Sequence, residues 1–300
     1  MKKVLFATTA LVATAGVAAA DVTFGGYGRF GVLYMENVSG TDETNVTSRL
    51  RLQIDMSAES DMGVSIGARA RINQDNGGSG TGINGVRFFA KSGGLEVGVG
   101  NIYGALEFMP GMYPIDLGLT GLGYDYTAFN GRGDAYSSGG AGASQQNGVE
   151  VMYSMGDLSV HVSASDTDNR VAAFAAYTFS GYTVALGLQD SDSASDTEAA
   201  FSVGGNVGPA ALTFAYAKNG DDNGITGADG NGDHYVLAAK FDVGAATDVE
   251  VYVADADYFT DTSYGVDFNH NLGGGTSLRG GVASRGNGLV RADLGVRFNF

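Results

Sequence analysis

The chain has 300 residues, a formal net charge of −16, 49 glycines, 3 prolines and no cysteine. The acidic balance excludes a protein that binds nucleic acid by neutralising phosphates, because that affinity rests on Lys and Arg. The lack of cysteine excludes a disulfide scaffold, and many glycines beside few prolines exclude collagen, coiled coils and proline-rich linkers.

The first twenty residues have the pattern of a secretory signal peptide. Lys2 and Lys3 form a short positive region, an uncharged apolar stretch follows, and small residues stand before Asp21. The apolar stretch is short for a membrane-anchoring helix, which is the alternative interpretation. We therefore predict a signal peptide over residues 1–20 and a single mature domain over 21–300.

Beyond the signal peptide, apolar residues recur at every second position. In the first segment Phe24, Phe30 and Val32 fall on one face, and Tyr27 and Arg29 fall on the other. A period of two is typical of a β-strand with two unlike faces and is incompatible with an amphipathic helix. The pattern predicts sixteen strands, centred near residues 28, 52, 68, 88, 98, 151, 161, 175, 186, 201, 214, 238, 251, 267, 280 and 295.

The connections between these strands are alternately short and long. Short links such as residues 92–94 and 180–181 alternate with long links such as 190–198 and 218–233. Tight turns at one end and long loops at the other are typical of antiparallel barrels that span a membrane. A soluble β-sandwich would bury its apolar face between two sheets, and a β-solenoid needs a fixed repeat. We predict an all-β fold, a transmembrane antiparallel β-barrel of sixteen strands.

The connection over residues 101–147 is much longer than the others and too apolar to remain in water. Its Leu, Tyr and Phe side chains need a surface to pack on, and the barrel interior and a subunit interface are both available. Its acidic residues are Glu107, Asp116, Asp125 and Asp134.

Arginines cluster on the polar phase of the first four strands. That phase should face the lumen, because a charge on the lipid face costs about 2–4 kcal/mol at the bilayer midplane. Carboxylates on an inward loop, facing these arginines, would set up a transverse field that favours polar solutes. Alternatively, the arginines only solvate the lumen. The six are Arg29, Arg49, Arg51, Arg69, Arg71 and Arg87.

Four further basic residues lie outside this cluster and outside the long connection. We interpret them as lumen or rim charges without a special role. They are Lys91, Arg279, Arg291 and Arg297.

Two stretches carry a family resemblance. Residues 99–108 read VGNIYGALEF and are followed by MPG at 109–111, and the last alternating strand ends at Phe300. With the signal peptide and the alternation of strands and loops, the whole mature chain resembles the trimeric general-diffusion porins of Gram-negative outer membranes, of the alphaproteobacterial type.

The resemblance implies a water-filled channel for passive diffusion of small hydrophilic solutes and ions. It implies a homotrimer in the bacterial outer membrane, surrounded by lipid and lipopolysaccharide, in which residues 101–147 fold inward and constrict the pore. Glu107 and Asp116 become the best constriction candidates. The resemblance requires no cofactor, and it suggests calcium as a metal that oxygen ligands at Glu107 and Asp116 could bind.

Two other classes of function stay open at this point. A substrate-selective porin, for example for sugars, would need a run of aromatic residues along one path. A barrel enzyme or adhesin would need a catalytic set or a closed lumen, and His161, His234 and His270 lie far apart in the chain. We therefore predict no enzymatic activity. The negative net charge favours passage of cations, and the arginines oppose that preference.

Overall fold

The structure is a computed structural model that describes residues 20–38, 40, 42–76, 82–129, 134, 136, 147–220 and 232–300. The predicted signal peptide, 1–20, lies outside these residues apart from Ala20. Part of the predicted constriction loop also lies outside them, and its described portion is residues 101–129, 134, 136 and 147. We call this portion the inner loop.

Sixteen strands form in the described part of the chain, and each predicted strand centre lies within its strand. The predicted fold class is confirmed. The strands are β1 (Asp21–Met35), β2 (Thr44–Glu59), β3 (Ser65–Asp75), β4 (Arg87–Ser92), β5 (Leu95–Gly100), β6 (Gly148–Met155), β7 (Leu158–Ser165), β8 (Val171–Phe179), β9 (Tyr182–Asp190), β10 (Glu198–Val207), β11 (Ala210–Lys218), β12 (Asp233–Asp242), β13 (Thr247–Ala256), β14 (Ser263–Gly273), β15 (Thr276–Ser284) and β16 (Val290–Asn299).

The strands close into one barrel. Each strand pairs antiparallel with its neighbours in the chain, and β1 pairs with β16 from Tyr27 opposite Asn299 to Met35 opposite Arg291. Phe300 extends this seam, because its N–H and C=O both bond to Gly26, at 3.1 and 3.0 Å. Within the described residues every strand pairs with two neighbours, and such closure is the condition for strands to cross a membrane.

The outer face of the barrel is apolar and exposed. Phe24 is 64% exposed, Phe30 56%, Ile66 58% and Leu294 53%, and all belong to the apolar phase of their strands. A soluble sandwich would bury this phase in a core. The apolar phase is therefore the surface that lipid covers, and the polar phase lines the interior.

Tyrosine and phenylalanine form an exterior band near the end of the barrel that carries the short turns. Tyr177, Phe179 and Tyr182 are exposed there, with ring centroids 6.4 and 6.5 Å apart. The chain has no tryptophan. These rings therefore supply the aromatic girdle that barrels place at the membrane interface.

The wall of the barrel is shortest where the inner loop begins. β4 and β5 have 6 residues each, fewer than the ~9–11 of a full transmembrane strand. In the described ranges the helical content is one 3₁₀ turn, Thr167–Asn169, and none of it is long and apolar enough to be a membrane-spanning helix.

Candidate functional site: the inner loop and the wall it faces

An apolar core holds the inner loop against the inside of the barrel. Leu106, Leu117 and Phe129 are fully buried, and each large apolar side chain removed from water contributes about 1.5–3 kcal/mol. Their partners on the wall are small: the same cluster contains alanines from seven strands. These alanines are Ala172, Ala176, Ala185, Ala200, Ala215, Ala217, Ala238, Ala254 and Ala283.

Glycine also leaves room for the loop at one point of the wall. A Cβ added at Gly187 would come within 2.3 Å of the Leu106 side chain and 2.8 Å of the Met109 sulfur. The small residues on both faces of β8 and β10 make the strand alternation weakest there. The small residues of these strands that face inward make space for the loop, and this explains why they are small.

Inward-facing carboxylates on the wall accept hydrogen bonds from the backbone of the inner loop. The N–H of Asp116 donates to Glu250 Oε2 on β13 at 2.9 Å, and the N–H of Gly118 donates to Asp267 Oδ2 on β14 at 2.5 Å. A loop without regular structure has no partners of its own for these N–H groups. The carboxylates supply the missing acceptors at fixed positions.

Asp293 on β16 makes the most complete of these anchors. Its Oδ1 accepts from the Leu119 N–H at 2.9 Å, and its Oδ2 accepts from the N–H and the hydroxyl of Thr120, both at 2.7 Å. On the neighbouring strand β1, Arg29 donates to the Leu119 carbonyl. The loop has therefore crossed the barrel and reached the seam between β16 and β1.

These anchors were not among the residues predicted from sequence. The alternation puts Glu250, Asp267 and Asp293 on the polar phase of their strands, but it does not show what they bind. Together with Ser163 on β7, which accepts from the N–H of Ala105 at 2.9 Å, they define what we call the covered wall. Among these acids, a usable sequence signal was limited to β13, where the inward alanine Ala254 and the inward acid Glu250 lie on one strand.

Asp125 lies on the return course of the inner loop and is an internal anchor. It is 7% exposed and pairs with Arg285 at 2.7 Å. Its Oδ2 also accepts from the Gly286 N–H at 2.9 Å and from the Ser263 hydroxyl at 3.0 Å. Its prediction as a pore-facing acid needs correction, because burial and three partners remove it from the lumen.

Asp134 needs the same correction. It is 1% exposed, forms an ion pair with Arg170 at 3.0 Å and accepts from the Ser165 hydroxyl at 2.9 Å. Both partners lie at the end of β7 and in the connection that follows it. Asp134 therefore fastens the inner loop to this connection.

Asp116 is the loop acid most exposed to the lumen. Its side chain is 60% exposed, and Oδ2 accepts from Arg279 at 2.6 Å and from Arg297 at 3.1 Å. The sequence predicted partners on the first four strands, and these two arginines lie on β15 and β16. Arg279 and Arg297 therefore have a specific role, the binding of Asp116, which was not predicted from the sequence.

Glu107 lies on the earlier part of the loop and is partly buried. It accepts a hydrogen bond from the Tyr113 hydroxyl. Burial raises the pKa of the Glu107 carboxyl above its ordinary value, and the bond from Tyr113 opposes that shift. Glu107 therefore gains a proton at a higher pH than a fully solvated glutamate.

The inner loop leaves five of the predicted arginines uncovered on β1 to β3. We call them the open wall, and all five are partly exposed. They are Arg29, Arg49, Arg51, Arg69 and Arg71.

Short polar contacts orient the open wall. Arg49 bonds to Asp75 at 3.2 Å, and Arg51 stands 5.2 Å above the Tyr27 ring. The guanidinium group of Arg297 also lies over the Tyr27 ring, 4.2 Å from its centre. The guanidinium groups are thus held in place while part of each remains open to the lumen.

Arg69 and Arg71 touch the beginning and the end of the inner loop. Arg69 donates to the Tyr103 hydroxyl at 2.6 Å and pairs with Asp55 at 2.6 Å. Arg71 lies 4.6 Å from the centre of the Tyr136 ring. The open wall therefore meets the loop at its edges and faces the lumen between them.

Arg87 is the sixth predicted arginine, and its placement on the pore wall is wrong. It is 2% exposed and lies between Glu150 at 2.5 Å and Glu96 at 2.7 Å. The Tyr103 ring covers it at 4.1 Å. The alternation assigns the correct inward phase, but it cannot show that the loop begins directly over this short strand.

The geometry gives no support to calcium at Glu107 and Asp116. Asp116 Oδ2 already accepts from two arginines, and Glu107 accepts from Tyr113. Within the described ranges, no group of three or more His, Cys, Asp or Glu residues could hold a metal ion.

A family profile described as Gram-negative porin matches residues 7–288 of the chain. The chain belongs to the Gram-negative porin family. A porin of Fuscovulum blasticum is 31% identical over 263 residues, which cover 79% of this chain and 85% of that protein. A porin of Rhodobacter capsulatus is 30% identical over 187 residues, which cover 58% of this chain and 57% of that protein.

Solved structures agree with the sequence relatives. A mutant of the Rh. blastica porin has a TM-score of 0.80 and 26% identity, covering 93% of this chain and all of the other. A triple mutant of the same porin has a TM-score of 0.79 and 26% identity, with 93% of this chain covered. The predicted family, function and location are confirmed: the chain is an outer-membrane porin through which small hydrophilic solutes and ions diffuse.

Proposed function

We propose that the porin selects solutes at a constriction between the edge of the inner loop and the open wall. The observation that carries the proposal is the uneven cover of the interior: the loop spans the barrel from Ser163 to Asp293 and leaves the arginines of β1 to β3 uncovered. Tyr124 on the loop edge lies near enough to Arg29, Arg49 and Asp116 for their charges to act on its hydroxyl.

Fixed charges of opposite sign would act differently on polar and apolar solutes. A polar solute can align its dipole with the field between Asp116 and the open wall, whereas an apolar solute only displaces water from these groups. A pair of unit charges 4 Å apart in bulk water is worth about 1 kcal/mol. Energies of this size bias passage without trapping an ion, so that diffusion stays fast.

We further propose that the porin works as a homotrimer surrounded by outer-membrane lipid and lipopolysaccharide. The six-residue strands β4 and β5 support a subunit contact on this side, because they are too short to face the full thickness of a bilayer. Their outward side chains Phe88, Val97 and Val99 are exposed in the single chain. A neighbouring subunit would cover them.

The passive function needs no catalytic step and no resident cofactor. Each histidine contacts a structural partner: His161 bonds to Glu150, His234 to Tyr258 and His270 to Thr247. Residues 63–67 read Gly-Xaa-Ser-Xaa-Gly. A nucleophile elbow needs its serine at a turn from a strand into a helix, whereas Ser65 begins strand β3 and the chain continues as that strand to Asp75. Unchanged conductance after chelation with EDTA would support the same proposal, and a reversible loss of conductance would contradict it.

Single-channel recording tests the proposed pore. The purified porin is added to a planar lipid bilayer, and current steps are measured at several KCl concentrations. We expect large steps that grow nearly in proportion to salt and that close in groups of three. A folded barrel that gives no steps would contradict the diffusion pore, and single closures without grouping would contradict the trimer.

A further inference from the structure

A cavity of about 460 Å³ lies beside the inner loop at the end of the barrel that carries the long connections. The inner loop forms one side of it, and the connections β13–β14 and β15–β16 form the other. Its volume is within the range of about 300–1,000 Å³ that small-molecule sites occupy. A solute that enters from this end passes the cavity before it reaches the constriction.

Two groups of aromatic side chains line the cavity from opposite sides. On the loop, Tyr113 and Tyr124 meet edge to face, with centroids 6.4 Å apart and planes at 84°. On the opposite side, Tyr258 and Phe259 meet in the same manner at 5.0 Å and 83°, and His234 lies 5.1 Å from Phe259. The cavity therefore offers broad apolar surfaces with polar edges.

Hydrogen bonds fix the Tyr258 ring. His234 Nε2 bonds to the backbone carbonyl of Asp125 at 3.0 Å, and Nδ1 bonds to the Tyr258 hydroxyl at 2.6 Å. Because a carbonyl only accepts, we assign the proton to Nε2, and Nδ1 then accepts from the hydroxyl. The histidine is neutral in this arrangement, and its two bonds set the position of the tyrosine.

The charges that line the cavity cancel. Asp125 and Arg285 pair with each other at 2.7 Å, and the carboxylate is also bonded to Gly286 and Ser263. Thr127 lines the cavity as well. It is 6% exposed, and its hydroxyl oxygen is buried without a hydrogen-bond partner among the described residues. The site thus combines aromatic surfaces with polar groups and has no net charge.

We infer that this cavity binds neutral sugars on their way to the constriction. A sugar ring can lay its apolar C–H face on an aromatic side chain while its hydroxyls bond to polar groups such as Arg285 and Asn287. A charged solute would find no unpaired opposite charge to replace its water. The inference deepens the proposed function: it rests on an open pore and adds a saturable binding step.

The first experiment compares three small solutes on the purified porin. Glucose is titrated against ion current in a planar bilayer, and its binding to the solubilised porin is measured by calorimetry. Mannitol is the matched open-chain polyol, and glucuronate is the matched anion. We expect glucose to reduce the current in a saturable manner, with a half-saturation concentration about tenfold below that of mannitol. Equal effects of glucose and mannitol, or tighter binding of glucuronate, would overturn the inference.

Variants locate the binding. Phe259→Ala removes one aromatic surface, and Thr260→Trp fills the cavity from an exposed position, so at least one of them should preserve the fold. We expect both to raise the half-saturation concentration for glucose about tenfold. Tyr264→Ala, on the outer face of β14 and 58% exposed, is the matched control and should leave it unchanged. An equal effect in the control would overturn the assignment.

The two proposals fail in different ways. A porin that conducts ions but shows no saturable response to glucose retains the proposed function and disproves the sugar site. A folded porin that conducts no ions disproves the proposed function. In that case calorimetry with glucose still decides whether the cavity binds sugar.

Discussion

The covered wall and the open wall are built from the same inward phase of the strands, yet their polar residues do different things. On the covered wall Glu250 and Asp293 accept backbone N–H groups of the inner loop. On the open wall Arg51 and Arg71 contact rings and amides and remain partly exposed. The two walls carry charges of opposite sign because their roles differ. The acids of the covered wall accept the unpaired N–H groups of the loop, and the arginines of the open wall remain in contact with water.

Arg87 shows that the role of an inward arginine depends more on whether the loop covers it than on which strand it belongs to. It belongs to the same cluster of early-strand arginines as Arg69, but the start of the loop covers it. Its neighbours are the carboxylates Glu150 and Glu96. One arginine is therefore structural, and the other faces the pore.

The largest expected effect separates these two kinds of arginine. Arg87→Ala leaves Glu150 buried without its cation, and breaking a buried pair costs about 3–5 kcal/mol. Arg51→Ala on the open wall should lower the free energy of unfolding by at most about 1 kcal/mol. Urea unfolding of the porin in lipid vesicles measures both, and equal losses would contradict the distinction.

A smaller effect is expected at the main anchor of the covered wall. Asp293→Ala leaves the N–H groups of Leu119 and Thr120 without their acceptor, at a cost of about 1–3 kcal/mol. The loosened loop should also increase the noise of the open-channel current. Asp61→Ala, in an exposed turn at the other end of the barrel, is the control. If Asp293→Ala matched the control in both measurements, the anchoring role would be wrong.

The smallest effect concerns the pH dependence of Glu107. Burial raises the pKa of the Glu107 carboxyl, so that its charge is lost at a higher pH on acidification than the charge of an ordinary glutamate. The reversal potential in a KCl gradient should therefore differ between the porin and Glu107→Gln at neutral pH and converge on acidification. Convergence at a pH no higher than that of an ordinary solvated glutamate would contradict the raised pKa.

The barrel could be predicted from the sequence because its rule is local. A period of two identifies each strand, and the alternation of short and long connections identifies the two ends. Even the short strand at Arg87–Ser92 keeps the pattern. Phe24 and Leu294 lie on the outer face because lipid, like a core, accepts the apolar phase.

The candidate site could be predicted only in part, because the course of the inner loop depends on contacts distant in sequence. The four acids of the loop could be identified from the sequence. Two of them, Asp125 and Asp134, are buried and bind the loop to other parts of the barrel. The partners of Asp116 lie more than 160 positions further along the chain. The alanines that make room for the loop are visible in the sequence, but small residues on both faces of a strand only weaken the alternation and do not show what packs against them.

The most direct test of the two-wall account is the reversal potential of a variant with a neutral open wall. Arg29, Arg49, Arg51 and Arg71 are replaced together by glutamine, and zero-current potentials are measured in a KCl gradient. We expect a shift towards cation selectivity, because the acids of the loop edge then face an uncharged wall. A properly folded variant with the reversal potential of the original porin would show that the open wall does not govern passage.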